Sequence, residues 1–440
     1  MTVELRAAER PLVSIVMVTY GGWDWPRRAL EAVRDHTDAP YEVVIVDNDS
    51  PDGTAERLRE GVRGARLILH DRNVGFAPAV NRGVLAARGE HICILNPDAL
   101  VQPLWLPPLL EAVARPEVGA VVPLFLEPDG RVQEAGSLVD RQGWTFAIGA
   151  GGDPRDLALR SARAIDYGSA ACLVMRRETF HRVGGLDAAY LPAYVEDLDL
   201  AFALRELGLR TVFEPRSSVV HGGTVSSDVA TRTRLIEANR EVFLDRWSDR
   251  LEGRPPLEEL DRLPHRLHAL RDVLAPVRLL VVAGRLGTAA GEAVIRMARG
   301  RLDARVTALA VEVREVEPLV EAGVEVALGA GEPWLEDRLF HFTAILAWGP
   351  AGLERWGGPI RRTQPQAVRV YAAPGAPPGT GLPDVDRVAL EEAEIVVADE
   401  VAGRPGGRLL RLDDPRWPDR LMTMLGAAPP AALRLSAGPA

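Results

Sequence analysis

The sequence contains no lysine, and all 52 of its basic residues are arginine. A phosphate-binding loop of the Walker type needs a lysine that reaches the phosphates, and a Schiff base forms on a lysine amine. Both kinds of chemistry are therefore excluded. Acidic residues outnumber basic ones and give a net charge of −10. Nucleic-acid backbones are bound by clustered positive charge, so we expect no nucleic-acid partner.

Cysteine is also scarce. Only Cys93 and Cys172 occur, each within an apolar run. Two such residues provide neither a disulfide framework nor the spacing of a zinc site, which suits a reducing compartment. The N-terminus lacks the apolar segment of a signal peptide, and no apolar run is long enough to cross a bilayer. We expect a cytoplasmic protein without a transmembrane segment, at most peripheral at the inner face of the cell membrane.

Short apolar runs alternate with helical segments through the first hundred residues. Four of these runs are rich in β-branched residues or end on polar residues: VSIVMVTY, YEVVIVD, ARLILH and ICIL. The alternation predicts βαβ units and a parallel, doubly wound sheet of the α/β class. Further along the chain, VGAVVPLFLEPDGRV predicts a strand or hairpin. The glycine-rich stretch from Gly143 to Gly152 predicts a mobile loop.

Polar side chains follow several of the predicted strands. Ligands bind at the carboxyl ends of the strands in open α/β sheets, so these positions are candidates for a site. Carboxylates together with an imidazole suit a divalent cation, and a diphosphate is the natural partner of that cation. Each residue also has a purely structural interpretation, as a turn former or at a helix start. The candidates are Thr19, Tyr20, Asp47, Asp49, Asp98, Glu196, Asp197, Asp199 and His221.

In this order and spacing, seven stretches resemble the family 2 glycosyltransferases of the GT-A fold, especially their rhamnosyltransferase-type branch. They cover roughly residues 11 to 227. The stretches are VSIVMVTY, VIVDNDSPDGT, NVGFAPAVNRG, ILNPDAL, GSAACLVMRRETFHRVGGLD, EDLDLAFALRELG and VVHGGTVS.

The resemblance implies a role for each matching position. Asp197 is the expected catalytic base, with Glu196 beside it, and we expect Glu196 and Asp199 to raise its pKa by their charge. Asp98 and His221 are the expected ligands of Mg²⁺ or Mn²⁺. The expected donor-binding residues are Thr19, Tyr20, Asp47, Asn73, Asn81, Asn96 and Asp98.

Two positions depart from the family pattern. Gly21 follows the Thr-Tyr strand end, where the family often has Asn, so the contacts of that loop differ. Asn96 replaces the first Asp of the metal motif. The cation therefore has one carboxylate fewer, which leaves open how strictly transfer depends on the metal.

The implied function is an inverting glycosyltransferase. It would move a sugar from a nucleotide-diphosphate donor, dTDP-rhamnose or a UDP-hexose, to a glycan or lipid-linked acceptor in surface polysaccharide synthesis. A non-catalytic nucleotide-sugar-binding scaffold is the main alternative. A sugar nucleotidyltransferase would need a glycine-rich loop with Arg and Lys after the first strand, which GGWDWPRR does not supply. A homo-oligomer is possible.

The predicted organisation has four parts. Residues 1–250 form the GT-A domain, residues 251–276 a linker or bridging helix, residues 277–426 a smaller Rossmann-like domain, and residues 427–440 a flexible tail. The second domain resembles the N-terminal half of a GT-B glycosyltransferase. Its glycines in VVAGRLGTAAGEA lack the GxGxxG spacing, so they predict a strand-to-helix turn and an accessory role in acceptor binding, partner docking or dimerisation.

Overall fold

The computed structural model describes residues 2–222, 229–254, 257–262, 266–372, 395–397, 408–410 and 414–426. The chain divides into two compact units, Met1–Glu259 and Leu260–Ala440. The predicted tail, residues 427–440, lies outside the described residues. Among the described residues, no helix is both long enough and apolar enough to span a membrane.

The first unit contains fourteen strands in its described part. They are β1 (Val3–Glu4), β2 (Val13–Thr19), β3 (Tyr41–Asp47), β4 (Val62–Arg63), β5 (Ala65–Leu69), β6 (His91–Leu95), β7 (Ala99–Val101), β8 (Val118–Leu126), β9 (Val132–Glu134), β10 (Ser137–Val139), β11 (Thr145–Ala147), β12 (Arg163–Ile165), β13 (Cys172–Arg176) and β14 (Arg210–His221).

Helices alternate with these strands. They are α1 (Asp24–His36), α2 (Thr54–Gly61), α3 (Phe76–Ala86), α4 (Leu106–Val113), α5 (Arg177–Arg182), α6 (Glu196–Glu206), α7 (Val229–Leu251) and α8 (Leu257–Asp261), with short 3₁₀ turns at Leu157–Leu159 and Ala188–Tyr190.

The main sheet of the first unit is mixed. Its order is β12-β14-β8-β13-β6-β2-β3-β5, with β7 and β9 added to β14 and β8. Strands β2, β3, β5 and β6 are parallel, as predicted, but β13 runs antiparallel between β6 and β8. The parallel arrangement predicted for the first hundred residues is therefore confirmed, and the sheet becomes mixed in the later part of the unit. A strand buried on both faces has the same apolar pattern in either direction, so the sequence does not reveal this reversal.

The centre of the sheet is dry and closely packed. All seven residues of β2 and all seven of β3 are buried. Helix α3 packs on β2 at Gly83, where an added Cβ would lie only 2.4 Å from Cγ1 of Val16. A larger residue cannot occupy that position without moving the helix, so Gly83 sets the distance between the two elements.

Two sequence predictions concern the segment after β8. The predicted strand or hairpin is confirmed, since β8 pairs with β9 in antiparallel fashion. The predicted mobile loop from Gly143 to Gly152 is wrong in part, because β11 lies within it and pairs with β10. Gly143 has a φ of 79° and makes the turn of this hairpin. Here the glycines permit a tight turn between very short strands.

The described part of the second unit contains six helices and seven strands besides α8. They are α9 (Arg266–Asp272), β15 (Val277–Leu286), α10 (Thr288–Ala298), β16 (Ala304–Val313), α11 (Glu317–Glu321), β17 (Glu325–Leu328), α12 (Glu332–Glu336), β18 (Ala344–Trp348), α13 (Pro350–Thr363), β19 (Val368–Ala372), β20 (Ile395–Val397), β21 (Arg408–Leu410) and α14 (Trp417–Gly426).

All strand pairs of this second sheet are parallel. Its order is β17-β16-β15-β18-β19-β20-β21, which places the first strand in the middle, as in doubly wound sheets. Successive residues of β15 point into two different apolar clusters, Leu279 and Val281 into one and Leu280 and Val282 into the other. Both faces of the sheet are therefore covered, which explains the continuous apolar runs in the sequence.

Candidate active site

The ends of β2 and β3 are joined by side-chain hydrogen bonds. Thr19 and Asp47 are register partners, and the Thr19 hydroxyl donates to Oδ2 of Asp47 at 2.8 Å. The Ser50 hydroxyl donates to the same oxygen at 2.6 Å, and the Ser50 backbone N–H donates to Oδ1 at 3.0 Å. Asp47 is only 1% exposed. Through these hydrogen bonds the Asp47 carboxylate holds the loop that follows β3. Its predicted contact with the donor stays a prediction.

The loop after Tyr20 is fixed by its backbone. The N–H of Gly21 donates to the Ser50 hydroxyl at 2.7 Å, and that of Gly22 donates to the Asp52 carboxylate at 2.8 Å. Both glycines have a positive φ, 76° and 70°. Glycine adopts this conformation without strain, which gives a physical reason for Gly21 at this position. Tyr20 is 46% exposed and is presented at the edge of the site.

Asn48, which the sequence did not single out, organises the neighbouring loop. Its amide group donates to Oδ1 of Asn73 at 2.9 Å and to the carbonyl of Gly75 at 3.2 Å. Asn81 is engaged elsewhere, since its side chain donates to the Leu186 carbonyl and accepts from the Leu186 N–H. Asn73 also accepts from the Gly75 N–H at 2.9 Å. Both predicted donor-binding residues, Asn73 and Asn81, thus hold backbone in place, and their contact with the donor stays a prediction.

Asp98 and His221 lie side by side at the end of the sheet. His221 is the register partner of Ala99, and Nε2 of its ring lies 3.3 Å from Oδ1 of Asp98. On the other side of the ring, Nδ1 lies 2.8 Å from Oε1 of Gln133. The Gln133 amide nitrogen donates to the His221 carbonyl at 3.3 Å, which fixes the orientation of the amide.

This orientation determines the tautomer of the neutral imidazole. An amide oxygen only accepts, so Nδ1 of His221 carries the proton and donates to Gln133. The lone pair of Nε2 is then on the side of the Asp98 carboxylate, so Nε2 and Oδ1 of Asp98 could bind the same cation. Adjacent ligands of an octahedral Mg²⁺ or Mn²⁺ ion are about 3 Å apart, so the pair fits such an ion. An acceptor behind a metal-binding histidine fixes its tautomer and ring orientation, and the Gln133 oxygen is placed to act as one.

The described residues contain no group of three or more His, Cys, Asp or Glu side chains arranged around a metal. Asp98 and His221 would therefore be the protein's share of the coordination. Mg²⁺ and Mn²⁺ sites that handle nucleotides commonly use one or two protein ligands and fill the rest with phosphate oxygens and water. Asn96, the departure from the family motif, bonds through its backbone N–H to the Ala171 carbonyl at 2.8 Å.

Asp197 is brought to the same end of the sheet by the segment before β13. The N–H of Ala170 donates to Oδ2 of Asp197 at 3.1 Å, and Ala171 is the residue bonded to Asn96. Two adjacent residues, Ala170 and Ala171, thus connect the predicted base with the strand end that carries Asp98. Asp98 and Asp197 thus lie at the same end of the sheet although about a hundred residues separate them in the chain.

The pKa of Asp197 is raised above the usual value of an aspartate. Burial is the largest cause, and the N–H groups of Ala170 and Leu198 oppose it by donating to the carboxylate. The expected direction is therefore confirmed, but the expected cause is wrong. Asp199 points elsewhere, since its Oδ1 accepts from Tyr190, Arg246 and Trp247.

Glu196 lies beneath the site and is only 5% exposed. Burial raises the pKa of Glu196 well above the usual range of a glutamate, and the charge of Asp197 is the second cause of this rise. Its Oε2 atom has no hydrogen-bond partner among the described residues. Burial and the neighbouring charge both favour the protonated form of Glu196, which suits a neighbour of the base.

Glu134 is a further acidic residue of the site. It follows Gln133 on β9. Burial, and then the charge of Asp197, raise its pKa to about 7, while Ser137, the Ser169 backbone and His221 oppose this rise. Its Oε1 atom has no hydrogen-bond partner among the described residues. One feature of the sequence could have indicated Gln133 and Glu134. In VQEAG, these two polar residues lie between an apolar strand residue and a glycine turn.

Comparison with known proteins adds the following. The model of the family "Glycosyl transferase family 2" matches residues 14–183. An N-acetylglucosaminyl-diphospho-decaprenol L-rhamnosyltransferase of Mycobacterium tuberculosis is 31% identical over 279 residues, which is 56% of this chain and 88% of that protein. The O-antigen biosynthesis protein RfbC of Myxococcus xanthus is 31% identical over 226 residues, 49% of this chain and 18% of that protein.

Two solved structures are similar at a lower level. GalNAc-T7 with UDP, GalNAc and Mn²⁺ has a TM-score of 0.44 at 17% identity and covers 58% of this chain and 51% of its own. The mannosyltransferase PcManGT from Pyrobaculum calidifontis, in complex with GDP-Man and Mn²⁺, has a TM-score of 0.40 at 22% identity and covers 61% and 76%. These scores are too low to establish a shared fold.

Proposed function

Because the chain belongs to glycosyl transferase family 2, we propose that residues 1–250 adopt the GT-A fold and transfer a sugar from a nucleotide-diphosphate donor with inversion of the anomeric carbon. One observation supports the proposal: Asp197, with a raised pKa, lies at the same end of the sheet as the Asp98–His221 pair. A transferase of this kind needs a base on one side of the anomeric carbon and charge stabilisation of the diphosphate on the other.

The donor and acceptor are proposed from the relatives. The M. tuberculosis relative is named as a rhamnosyltransferase acting on a diphospho-decaprenol-linked sugar, and the M. xanthus relative as an O-antigen protein. We propose dTDP-rhamnose as the first donor to test and a UDP-hexose as the second. The acceptor would be a glycan or lipid-linked sugar of surface polysaccharide synthesis, and the reaction would take place at the cytoplasmic face of the membrane.

The reaction needs one proton transfer. Asp197 accepts the proton of an acceptor hydroxyl while the hydroxyl oxygen forms a bond to the anomeric carbon. The bond between that carbon and the diphosphate oxygen breaks, and the nucleoside diphosphate leaves with the electron pair. The raised pKa of Asp197 makes it a stronger base than an ordinary aspartate.

Asp98 and His221 would hold Mg²⁺ or Mn²⁺. When bound, the cation would stabilise the negative charge that grows on the diphosphate as it leaves. Gln133 keeps the Nε2 lone pair of His221 available for this purpose, since it fixes the proton on Nδ1. The nucleotide of the donor would bind beside Thr19, Asp47 and Ser50. The exposed Tyr20 would lie beside its nucleobase.

For residues 277–426 we propose an accessory role, in acceptor binding, partner docking or dimerisation. This unit has its own parallel sheet with apolar clusters on both faces. Its first strand-to-helix turn lacks the spacing of a dinucleotide-binding loop. An added Cβ at Gly284 would lie 2.6 Å from Cβ of Ala351, so this glycine serves helix packing.

The proposal is tested by donor turnover. The full chain is incubated with dTDP-rhamnose and with UDP-hexoses, each with Mn²⁺ or with EDTA, in the presence of a lipid-linked diphosphate sugar. We expect release of nucleoside diphosphate that depends on Mn²⁺ and rises with acceptor. Binding of nucleotide sugar without turnover on any acceptor would favour the scaffold alternative. Formation of pyrophosphate from a nucleoside triphosphate and a sugar phosphate would favour the nucleotidyltransferase.

A further inference from the structure

The segment that leads into the acidic pair has an unfavourable backbone conformation. Tyr194 and Val195 both have a φ of 78°, in the left-handed region. Residues other than glycine rarely adopt this conformation, and a β-branched residue such as valine least of all. Val195 is the residue from which α6 begins, and no side chain caps this helix start. Such a turn persists only where surrounding groups hold it.

Helix α7 supplies a group that holds the turn. The side-chain amide of Asn239 donates to the carbonyl of Ala193 and to the carbonyl of Tyr194, each at 2.9 Å. Asn239 is only 5% exposed. A single buried NH₂ group thus satisfies two successive backbone acceptors, which the left-handed turn directs to one point.

The same helix also holds the far side of the acidic pair. Two turns after Asn239, Arg246 and Trp247 donate to Oδ1 of Asp199 at 2.8 and 2.7 Å. The Tyr190 hydroxyl donates to that oxygen at 2.9 Å. The segment Glu196–Asp197 therefore lies between two points that α7 fixes, the turn before it and Asp199 after it.

We propose that Asn239 is a positioning residue for Asp197, and that its two hydrogen bonds set the start of α6 so that the Asp197 carboxylate faces the acceptor hydroxyl. This inference rests on the proposed function of Asp197. Asn239 touches neither substrate nor metal in this account and acts only through the backbone. Its contribution is geometric, and small displacements of a catalytic group lower the rate more than they lower binding.

The substitution Asn239→Asp tests the inference with almost no change in shape. A carboxylate has no N–H to donate and would place its lone pairs against two carbonyl oxygens. Glu237→Gln is the matched control, because it also exchanges a carboxylate and an amide, at an exposed position of the same helix. Trp247→Phe is a second variant, which removes only the indole donor to Asp199 and keeps an aromatic ring against Phe202.

Three quantities are measured on the full chain: kcat with the best donor of the panel, the Kd of UDP and dTDP with Mn²⁺ by calorimetry, and hydrogen exchange of the amides of residues 194–199. For Asn239→Asp we expect kcat to fall at least tenfold, nucleotide Kd to stay within threefold, and exchange of these amides to become at least tenfold faster. For Trp247→Phe we expect a fall in kcat of at least threefold. Glu237→Gln should match the wild type.

A wild-type kcat in Asn239→Asp, or a kcat that falls only together with nucleotide affinity, would overturn the positioning role. If Asn239→Asp does not fold, Asn239→Ala decides, because it removes the same NH₂ group without adding a charge, and a wild-type kcat in that variant overturns the inference. Asp197→Asn is assayed alongside. If the wild type itself transfers no sugar, the proposed function fails, whereas the exchange comparison still shows whether Asn239 holds the turn.

Discussion

Gln133 illustrates how one side chain determines the chemistry of another. Its amide, oriented by the His221 carbonyl, fixes the ring proton on Nδ1 and leaves Nε2 directed to Asp98. The sequence indicated Asp98 and His221 because a strand end and a histidine after an apolar run can be recognised locally. It could not indicate the contact of Gln133 with His221, since this contact joins residues 88 positions apart and depends on the register of β8, β9 and β14.

We predict that Gln133→Leu weakens Mn²⁺ binding about 10- to 100-fold, the usual effect of removing an outer partner of a metal-bound histidine. The affinity is measured by titrating Mn²⁺ in the presence of UDP. Gln142→Leu, the same change at an exposed position, is the control and should leave the affinity unchanged. Equal affinities in the two variants would show that Gln133 does not prepare His221 for a metal.

Glu134 gives a prediction for stability. Its pKa rises from 4.5 in the unfolded chain to about 7 in the folded protein, so the folded state binds more protons between these values. The contribution of Glu134 to the free energy of unfolding is therefore lost as pH rises through this window. Glutamine cannot lose a proton, so the free energy of unfolding of Glu134→Gln should rise by on the order of 3 kcal/mol relative to wild type between pH 4.5 and pH 8.

Urea unfolding of both proteins at pH 5 and at pH 8 checks this prediction. Most of the gain should develop between these two pH values. Glu60→Gln, at an exposed position of α2, is the control and should show no pH-dependent difference. A stability difference between Glu134→Gln and wild type that is the same at both pH values would mean that Glu134 is not desolvated in the folded state.

At the scale of elements, Asp166 joins several pieces around the site. Its side chain is fully buried and accepts from Arg205 of α6 and from Arg254, each at 2.6 Å. It also accepts from the N–H of Val139 in β10 at 2.8 Å. The helix that carries Asp197 and the hairpin beside Glu134 are thus tied to one carboxylate.

Asp166→Ala should lower the free energy of unfolding by about 3 to 5 kcal/mol, because it leaves two guanidinium groups near a buried position without their counter-charge. Thermal unfolding measures the loss. Asp153→Ala is the control, since Asp153 and Arg155 form an ion pair on the surface, where such pairs contribute little. A melting temperature equally lowered in both variants would refute the structural role given to Asp166.

The elements themselves were predictable to different degrees. Long buried strands such as β2, β3, β15 and β16 were evident from apolar runs, because burial on both faces requires them. The hairpin of β10 and β11 was not, since strands of three residues carry too little pattern and their glycines favour a loop. The direction of β13 follows from its partners and not from its own residues.

At the scale of the whole chain, composition excluded more than it indicated. The absence of lysine and the net charge of −10 ruled out lysine chemistry and argued against nucleic acid. Family membership followed from the order of several motifs, none of which is decisive alone. The parallel second sheet agrees with the apolar runs of its sequence. Its likeness to half of a GT-B enzyme stays a prediction, because a doubly wound sheet serves many functions.

The central claim is that Asp197 is the base of a sugar transfer. Asp197→Asn tests it most directly, with Asp245→Asn, an exposed aspartate of α7, as the matched control. We predict that kcat for transfer falls roughly 10²- to 10⁴-fold in Asp197→Asn, the usual contribution of a general base. Binding of UDP or dTDP with Mn²⁺ should persist, and Asp245→Asn should match the wild type.

The pH dependence of the wild type belongs to the same measurement. Burial raises the pKa of Asp197, so kcat/KM should fall on acidification at a pH above the usual range of an aspartate, and this limb should be absent from the residual activity of Asp197→Asn. Transfer by Asp197→Asn at the rate and with the pH profile of the wild type would contradict the account.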